Sequence, residues 1–304
     1  MVIKDIAEAW KQYKKQYVKE STYSAYCLLL NNHVIPRFGE KSEFKEEEVQ
    51  QFVLESLKGG LSQKTVKDIL VVLKMIQKFG AKQRLMEVVP IDVVFPVVSE
   101  KKEIEVMTKE NQRKLLSFVN ENFSFRNLGI AICLCTGVRI GELCALRWCD
   151  FDMDQKVVKI RHTMQRLYVI DGDNKYTKIV IDKPKTKESN RDIPLSNELQ
   201  RIIRPLLKVV TPDFFILSND KNPIEPRTYR NYYKKVMKKL NIPYLKFHGL
   251  RHSFATRCIE SKNSVKTVSV ILGHSNITTT LNLYVHPNND EKKRCIEKML
   301  KDIL

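Results

Sequence analysis

The sequence predicts a mainly α-helical protein with a small antiparallel β-sheet, organised as two domains. Three observations support this fold class. The chain has 304 residues, which is long for a single hydrophobic core. Apolar residues recur at helical spacing through most of the chain. Between residues 156 and 195 the pattern changes to an alternation of period two, which is typical of strands.

The N-terminal third of the chain predicts four short helices whose apolar stripes would pack as a small bundle. Ser21 or Thr22 can cap the second helix. This helix should end near Pro36, because proline has no backbone donor. Ser62 can cap the fourth helix. We therefore expect a helical domain over residues 1–97.

A linker is expected over residues 98–106, because residues 89–105 contain two prolines, β-branched residues and then a run of charges. Helical periodicity resumes at Thr108. The very apolar segment Leu128–Leu146 predicts a buried helix pair that is broken at Gly137. These elements begin a second domain, which we expect to cover residues 107–304.

The strand-like region predicts a hairpin and a closing strand. Apolar residues alternate with charged ones at 157–160, and the pair Asp171-Gly172 is typical of a hairpin turn. Asp192–Leu195 should form the closing strand. Helices then resume, and the last one, over residues 290–304, is amphipathic.

The formal net charge of +18 predicts a polyanionic partner. Residues 1–100 carry 15 basic and 13 acidic side chains, whereas the remainder carries 38 basic and 22 acidic ones. If the partner is nucleic acid, the C-terminal two thirds should therefore provide most of the electrostatic attraction.

Several classes of protein are disfavoured by the sequence. No apolar run approaches the roughly 20 residues that span a bilayer, and the N-terminus lacks the apolar core of a secretory signal. We therefore expect a cytoplasmic protein with no membrane partner. The seven cysteines show no zinc-ligand spacing, and the chain has no glycine-rich phosphate loop. We expect reduced thiols, no metal and no cofactor.

The chemistry is concentrated in four segments, the last of which contains a tyrosine. They are TGVRIGELCALRW (136–148), KPKTKESNRDIPL (183–195), FHGLRHSFAT (247–256) and LGHSNITTTLNLYVH (272–286). Their order and spacing resemble the tyrosine recombinase, or phage integrase, family. The N-terminal stretches ESTYSAYCLLLNNHVIPRFGEK and GGLSQKTVKDIL look like the family's core-type DNA-binding domain. The resemblance implies a four-helix SAM-like core-binding domain followed by an α+β catalytic domain.

By this resemblance, six residues would act on one phosphodiester. They are Arg139, Lys185, His248, Arg251, His274 and Tyr284. Arginine suits the two phosphate-clamping positions, because its planar fork of donors is always charged. Tyr284 would be the nucleophile and would form a 3′-phosphotyrosyl ester. Its ordinary pKa of about 10 means that it must lose its proton to a neighbour or to the cationic field of the site.

Lys185 would protonate the leaving 5′ oxygen. Its register stays open because Lys183 and Lys187 flank it, although the family's Lys-Thr pair matches Lys185-Thr186. The alternative is a basic loop that only touches backbone phosphates. The sequence also leaves open whether His248 accepts the Tyr284 proton or supports the phosphate.

Glu142 follows Arg139 by three residues, so both should lie on one helix face. The resemblance makes Glu142 an acid that orients the site, and the alternative is a surface ion pair. Additional DNA contacts are expected from Thr22, Lys64, Thr65, Lys183, Lys187 and Arg191.

The resemblance also implies partners. The DNA would be double-stranded with inverted-repeat core sites, and the protein would be a monomer when free and a homotetramer on DNA. The helix at 290–304 would dock on a neighbouring protomer, the alternative being that it folds back on its own domain. An accessory directionality factor is a further candidate partner.

The favoured function is a site-specific recombinase, the integrase of a mobile element or prophage. The first alternative is a Xer-type chromosome dimer resolvase, since the helical module begins near Met1 as in the compact Xer layout. A trimmed or naturally short integrase would look the same. A type IB topoisomerase would not need the amphipathic tail, and a DNA-binding relative without activity would not need all six residues. The target DNA sequence is not readable from the chain.

Overall fold

The structure is a computed structural model. It describes residues 1–97, 105–171, 174–184 and 186–281, together with 293, 296, 297, 299 and 300. Lys185 and Tyr284 lie outside the described residues, as do most of the predicted linker 98–106 and most of the predicted helix 290–304. Within the described ranges, no helix is long and apolar enough to cross a bilayer.

The chain divides into two compact units. The first is Met1–Lys101 with Leu167–Lys178, and the second is Lys102–Arg166 with Ile179–Leu304. The predicted boundaries did not anticipate that a segment from the strand-rich region would group with the N-terminal helices. Ser24 explains part of this grouping, because its buried hydroxyl donates to Tyr168 O at 2.6 Å.

The first unit is built from helices that bury one apolar stripe each. They are α1 (Ile3–Lys15), α2 (Glu20–Leu29), α3 (Ile35–Phe38), α4 (Glu46–Lys58) and α5 (Gln63–Lys82). Ser62 caps α5, since its hydroxyl accepts the amide of Thr65 at 3.1 Å, and this confirms the prediction. Trp10 of α1 and Ile69 of α5 belong to the same buried cluster.

The beginning and end of α2 differ from the prediction. The N-cap is Lys19, so the predicted cap at Ser21 or Thr22 is wrong and both residues lie in the first helical turn. The chain also continues through a π-helical turn, Leu30–Val34, directly into α3. Pro36 is the second residue of α3, which directly follows this π-helical turn, so the proline does not end the helical path.

The second unit contains further helices. They are α6 (Lys109–Glu121), α7 (Phe125–Thr136), α8 (Ile140–Ala145), α9 (Asn197–Leu206), α10 (Pro226–Lys239), α11 (His248–Glu260), α12 (Val265–Leu272) and α13 (Thr278–Leu281). The predicted buried pair broken at Gly137 is confirmed as α7 and α8. Because α7 is almost entirely buried and packs against α11, it forms the centre of this unit.

The strands within the described residues form two sheets. Strands β1 (Phe151–Asp152), β2 (Val157–Ile160) and β5 (Arg191–Pro194) make one antiparallel sheet, and β3 (Thr163–Asp171) and β4 (Asn174–Asp182) make the other. In the first sheet Val158 pairs with Ile193 and both side chains are buried. The same register places Arg191 opposite Ile160, at the start of β5.

Candidate functional site

The turn after α7 directs Arg139 toward the end of α12. Gly137 ends α7 with a left-handed φ of 65°. A Cβ atom there would lie 2.6 Å from Phe254 Cδ1, so glycine is required on both counts. Arg139 follows as the extended N-cap residue of α8. Its amide donates to Glu142 Oε2 at 2.8 Å, which closes the first turn.

The Arg139 guanidinium lies between an acid and a helix end. Its Nη1 donates to Glu142 Oε1 at 2.7 Å, and its Nη2 donates to Gly273 O at 3.1 Å. The side chain keeps 34% of its surface exposed. Arg139 is therefore held in a defined position and can still reach a ligand.

Arg251 lies behind Arg139 and is almost completely buried, with 1% of its surface exposed. Its Nη1 donates to Gly137 O at 2.9 Å and its Nη2 donates to Leu272 O at 2.7 Å. Burial, together with the nearby charge of Arg139, lowers the pKa of Arg251 to about 9. The guanidinium therefore remains charged at neutral pH.

The end of α12 is the point where the two arginines meet. The last carbonyls of a helix have no partner inside it, and they carry the negative end of the helix dipole. Leu272 O accepts from Arg251 Nη2 and, at the longer distance of 3.5 Å, from Arg139 Nη1. Arg139 and Arg251, which are far apart in the sequence, thus donate to the same backbone oxygen.

Glu142 is the acid of this cluster and is 2% exposed. It pairs with Arg191, whose Nη1 and Nη2 donate to Oε1 and Oε2 at 3.1 and 3.0 Å. Burial alone would raise the pKa of Glu142, but the bonds and charges of Arg191 and Arg139 lower it overall. The carboxylate is therefore ionised, and among the described residues three guanidinium groups lie near this one negative charge. The excess of positive charge suits an anionic ligand.

His248 and His274 flank the arginines. His248 is the first residue of α11, and His274 directly follows the C-cap residue of α12. His274 Nδ1 lies 2.8 Å from Thr280 Oγ1. Partial burial, then His252 and the two arginines, lowers the pKa of His248 to about 4. Burial, then the two arginines, lowers that of His274 to about 4 as well. Both rings are therefore neutral at pH 7.

The structure thus brings together four of the six predicted catalytic residues, Arg139, His248, Arg251 and His274, with Glu142 beside them. Lys185 and Tyr284, which complete the predicted set, lie outside the described residues. The surface-ion-pair alternative for Glu142 does not agree with its burial. The roles of these residues stay predictions.

The residues expected to contact DNA have different surroundings. Lys64, Lys183 and Lys187 are exposed, whereas Thr22 and Thr65 are half-buried. The Thr65 hydroxyl lies 2.9 Å from the Ser62 hydroxyl. Arg191 is 8% exposed and bonded within the protein, so its surroundings do not favour a direct contact with DNA.

The sequence did not indicate two features of the site. Thr280 orients His274, although it lies in a run of three threonines with no signal that distinguishes it. The acceptors Leu272 O and Gly273 O are backbone atoms, which every residue type possesses. A Gly after an apolar helix does signal a C-cap, and this could have located the helix end.

Comparisons with known proteins agree with this fold. The profile of the Phage integrase family matches residues 105–291. The profile described as Phage integrase, N-terminal SAM-like domain, matches residues 2–69. The two matches together cover most of the chain.

Two curated relatives illustrate the similarity. A tyrosine recombinase XerC-like protein from Caldanaerobacter subterraneus subsp. tengcongensis is 29% identical over 283 residues, covering 85% of this chain and 71% of the relative. The transposase from transposon Tn916 of Enterococcus faecalis is 30% identical over 215 residues, covering 65% of this chain. That match spans only 51% of the transposase, so the chain covers about half of its length.

Among solved structures, the integrase of the Tn1549 transposon matches with a TM-score of 0.78 and 25% identity. The match covers 99% of this chain and 100% of that one. The predicted mainly α fold, with a SAM-like domain and a catalytic domain, is confirmed. The chain belongs to the phage integrase family, the tyrosine recombinases, and is a site-specific recombinase that cleaves and rejoins DNA strands.

Proposed function

We propose that this protein is the integrase of a mobile element and that it cuts DNA through a 3′-phosphotyrosyl intermediate with Tyr284 as nucleophile. The observation that carries the proposal is the convergence of Arg139 and Arg251 on Leu272 O, next to His274. The names of the similar proteins favour the mobile-element role, since they include transposon transposases and a transposon integrase bound to transposon right end DNA.

Arg139, Arg191 and Arg251 together form an arginine cluster. This cluster would stabilise the charge that develops on the phosphate. Positive groups held in place before the reaction need no reorganisation when the oxygens gain charge. Arg139 is the accessible member and would donate to a non-bridging oxygen. Arg251 is buried, so in this state it would act through its charge, and a direct bond to the phosphate would require side chains to move apart.

The neutral histidines can hold or move protons. If the Thr280 hydroxyl donates to His274 Nδ1, the ring proton lies on Nε2, from which it would donate to a second phosphate oxygen. His248, neutral at pH 7, can accept the phenolic proton as Tyr284 Oη attacks phosphorus. The P–O5′ bond then breaks, and Lys185 gives its proton to the leaving oxygen. Reversal of these steps rejoins the strand.

The DNA-binding surface would include the exposed side of α10. This helix presents six basic side chains and no acidic one, namely Arg227, Arg230, Lys234, Lys235, Lys238 and Lys239. We infer that the substrate is double-stranded DNA with inverted-repeat core sites. A Xer-like role in resolving chromosome dimers is the alternative within the same chemistry.

The assembly on DNA would be a homotetramer formed from free monomers, with an accessory directionality factor as a further partner. Ile296, Met299 and Leu300 are helical and exposed. Such an apolar face suits docking on a neighbouring protomer. Truncation after Pro287 should therefore impair recombination between two sites more than cleavage at one site. Equal losses would contradict docking between protomers.

The nucleophile is tested with a suicide substrate that carries a nick near the cleavage site. The wild-type protein should form an adduct with DNA that survives SDS. Tyr284→Phe should form none while binding DNA with unchanged affinity. Tyr17→Phe is the matched control, because Tyr17 is exposed in the other unit, and it should form the adduct normally. An adduct with Tyr284→Phe would show that another residue attacks.

A further inference from the structure

Arg191 is buried in the second unit and uses its guanidinium entirely within the protein. Its Nε donates to Ile271 O at 2.6 Å, and its Nη1 donates to Ser189 O at 3.1 Å. Both terminal nitrogens also donate to Glu142. A planar fork can make these bonds simultaneously, whereas a lysine ammonium cannot reproduce their geometry.

One end of this network leads to Arg139. The two Glu142 oxygens that accept from Arg191 also accept from Arg139, Oε1 from its guanidinium at 2.7 Å and Oε2 from its amide at 2.8 Å. Arg191 thus fixes the carboxylate that in turn fixes both the backbone and the side chain of Arg139. Arg191 is itself too deeply buried to touch the ligand that Arg139 can reach.

The other end leads to His274. Ile271 lies in the last turn of α12, which Gly273 closes with a left-handed φ of 67°. A Cβ atom on Gly273 would lie 2.9 Å from Arg191 Cδ, so the chain passes directly against the arginine stem. The amides of Gly273 and His274 donate back to Val270 O and Ser269 O at 3.0 and 3.1 Å. The position of His274 therefore depends on where Arg191 holds this turn.

We propose that Arg191 is a positioning residue that sets the placement of Arg139 relative to His274, through Glu142 on one side and the end of α12 on the other. The inference rests on the proposed function, in which both residues contact the same phosphate. Arg191 also bonds to the segment that follows Lys185, because Ser189 O accepts from its guanidinium. Arg191 touches no reacting atom in this scheme.

The test is Arg191→Lys, which keeps the positive charge and removes the planar set of guanidinium donors. Displacement of catalytic groups by about 1 Å can cost 10²-fold in rate, so single-turnover cleavage of the nicked substrate at saturating DNA should slow by about 10- to 100-fold. DNA affinity should change by less than about twofold, because Arg139 stays accessible. A purely structural arginine would lower the unfolding midpoint and leave the cleavage rate of the folded fraction unchanged.

A double-mutant cycle with Glu142→Gln tests the route through the acid. If Arg191 acts through Glu142, the double variant should cleave no more slowly than the slower single variant. If the rate loss of the double variant equals the product of the two single losses, the residues act independently. That result would overturn the route through Glu142.

Arg257→Lys is the matched control. Arg257 also bonds a glutamate, Glu260, and the backbone oxygen of Met107, but it lies apart from the arginine cluster. Its substitution should shift the unfolding midpoint without slowing cleavage at saturating DNA. If Arg257→Lys slows cleavage as much as Arg191→Lys does, the loss of any arginine that bonds a glutamate and a backbone oxygen is enough to slow cleavage. That result would overturn the proposal.

Hydrogen exchange in the free protein separates this proposal from the proposed function. Arg191→Lys should speed exchange of the Gly273 and His274 amides, whereas Arg257→Lys should not. If the wild-type protein forms no adduct but the exchange changes, the chemistry proposed for the site fails and the positioning contact stands. Unchanged exchange at both amides would overturn the positioning role whatever the activity.

Discussion

The arginine cluster and the exposed side of α10 are both strongly basic, yet they hold their charge in opposite ways. Arg139, Arg191 and Arg251 bond to backbone oxygens and to one buried carboxylate. The six basic side chains of α10 are exposed to solvent. Charge in the first region is fixed and poorly screened, whereas charge in the second is mobile and screened by salt. The first region therefore suits catalysis and the second suits attraction of DNA.

The largest effect should come from removing the negative charge of Glu142. Glu142→Gln leaves Arg191 and Arg251 buried without a compensating carboxylate. Breaking a buried ion pair in this way costs about 3–5 kcal/mol of unfolding free energy. Urea unfolding at pH 7 measures this loss, with Glu198→Gln, an exposed acid paired with Arg201, as the control. A loss no greater than that of the control would show that the cluster does not depend on its acid.

Removal of Arg139 should affect chemistry more than stability. A preorganised donor to a developing oxyanion contributes about 10²–10³-fold in rate, so Arg139→Ala should slow single-turnover cleavage by that factor. The same change in Arg227, on the exposed side of α10, should alter affinity and leave the rate at saturating DNA much closer to that of the wild-type protein. Equal rate losses would remove the distinction between the two regions.

The neutral histidines predict a loss of stability in acid. The pKa of His274 is about 4 in the folded protein. The unfolded chain has the ordinary value of about 6.5 and so binds protons more readily. The free energy of unfolding should therefore fall as the pH drops from about 6.5 toward about 4, and less so in His274→Gln. Urea midpoints across this range measure the difference, and parallel profiles for the two proteins would contradict it.

The smallest effect on catalysis should come from the exposed lysines. Substitution of Lys234, Lys235 and Lys238 by glutamine should weaken DNA binding and flatten its dependence on salt. The slope of log K against log salt should fall by about 0.9 for each phosphate contact that is lost. Fluorescence anisotropy at several salt concentrations measures the slope. An unchanged slope would place the DNA elsewhere on the protein.

Local patterns predicted much of this molecule. Ser62 caps its helix as expected, because capping depends only on neighbouring residues, and the helical pattern that resumes at Thr108 is helix α6. The motif spacing also indicated that Arg139 and Glu142 lie together. The cap at Ser21 or Thr22 was wrong because α2 starts at Glu20 without a side-chain cap.

The arrangement around Arg191 could not be predicted in the same way. An arginine among polar residues usually lies at the surface, and here contacts with Glu142 and Ile271 O account for its burial. These partners are distant in sequence, and one of them is a backbone atom. Long-range contacts of this kind leave no local pattern.

The end of α12 has a consequence for how the site tolerates change. The oxygens at Ile271, Leu272 and Gly273 belong to peptide groups, so replacing the Ile271 or Leu272 side chain does not delete the acceptor. Alanine scanning along α12 would therefore overlook these contacts. An amide-to-ester replacement between Leu272 and Gly273 weakens the Leu272 carbonyl as an acceptor and would reveal its contacts, although it also removes the Gly273 amide that donates to Val270 O. The guanidinium groups of Arg139, Arg191 and Arg251 are thus held by backbone oxygens, which no single side-chain substitution removes.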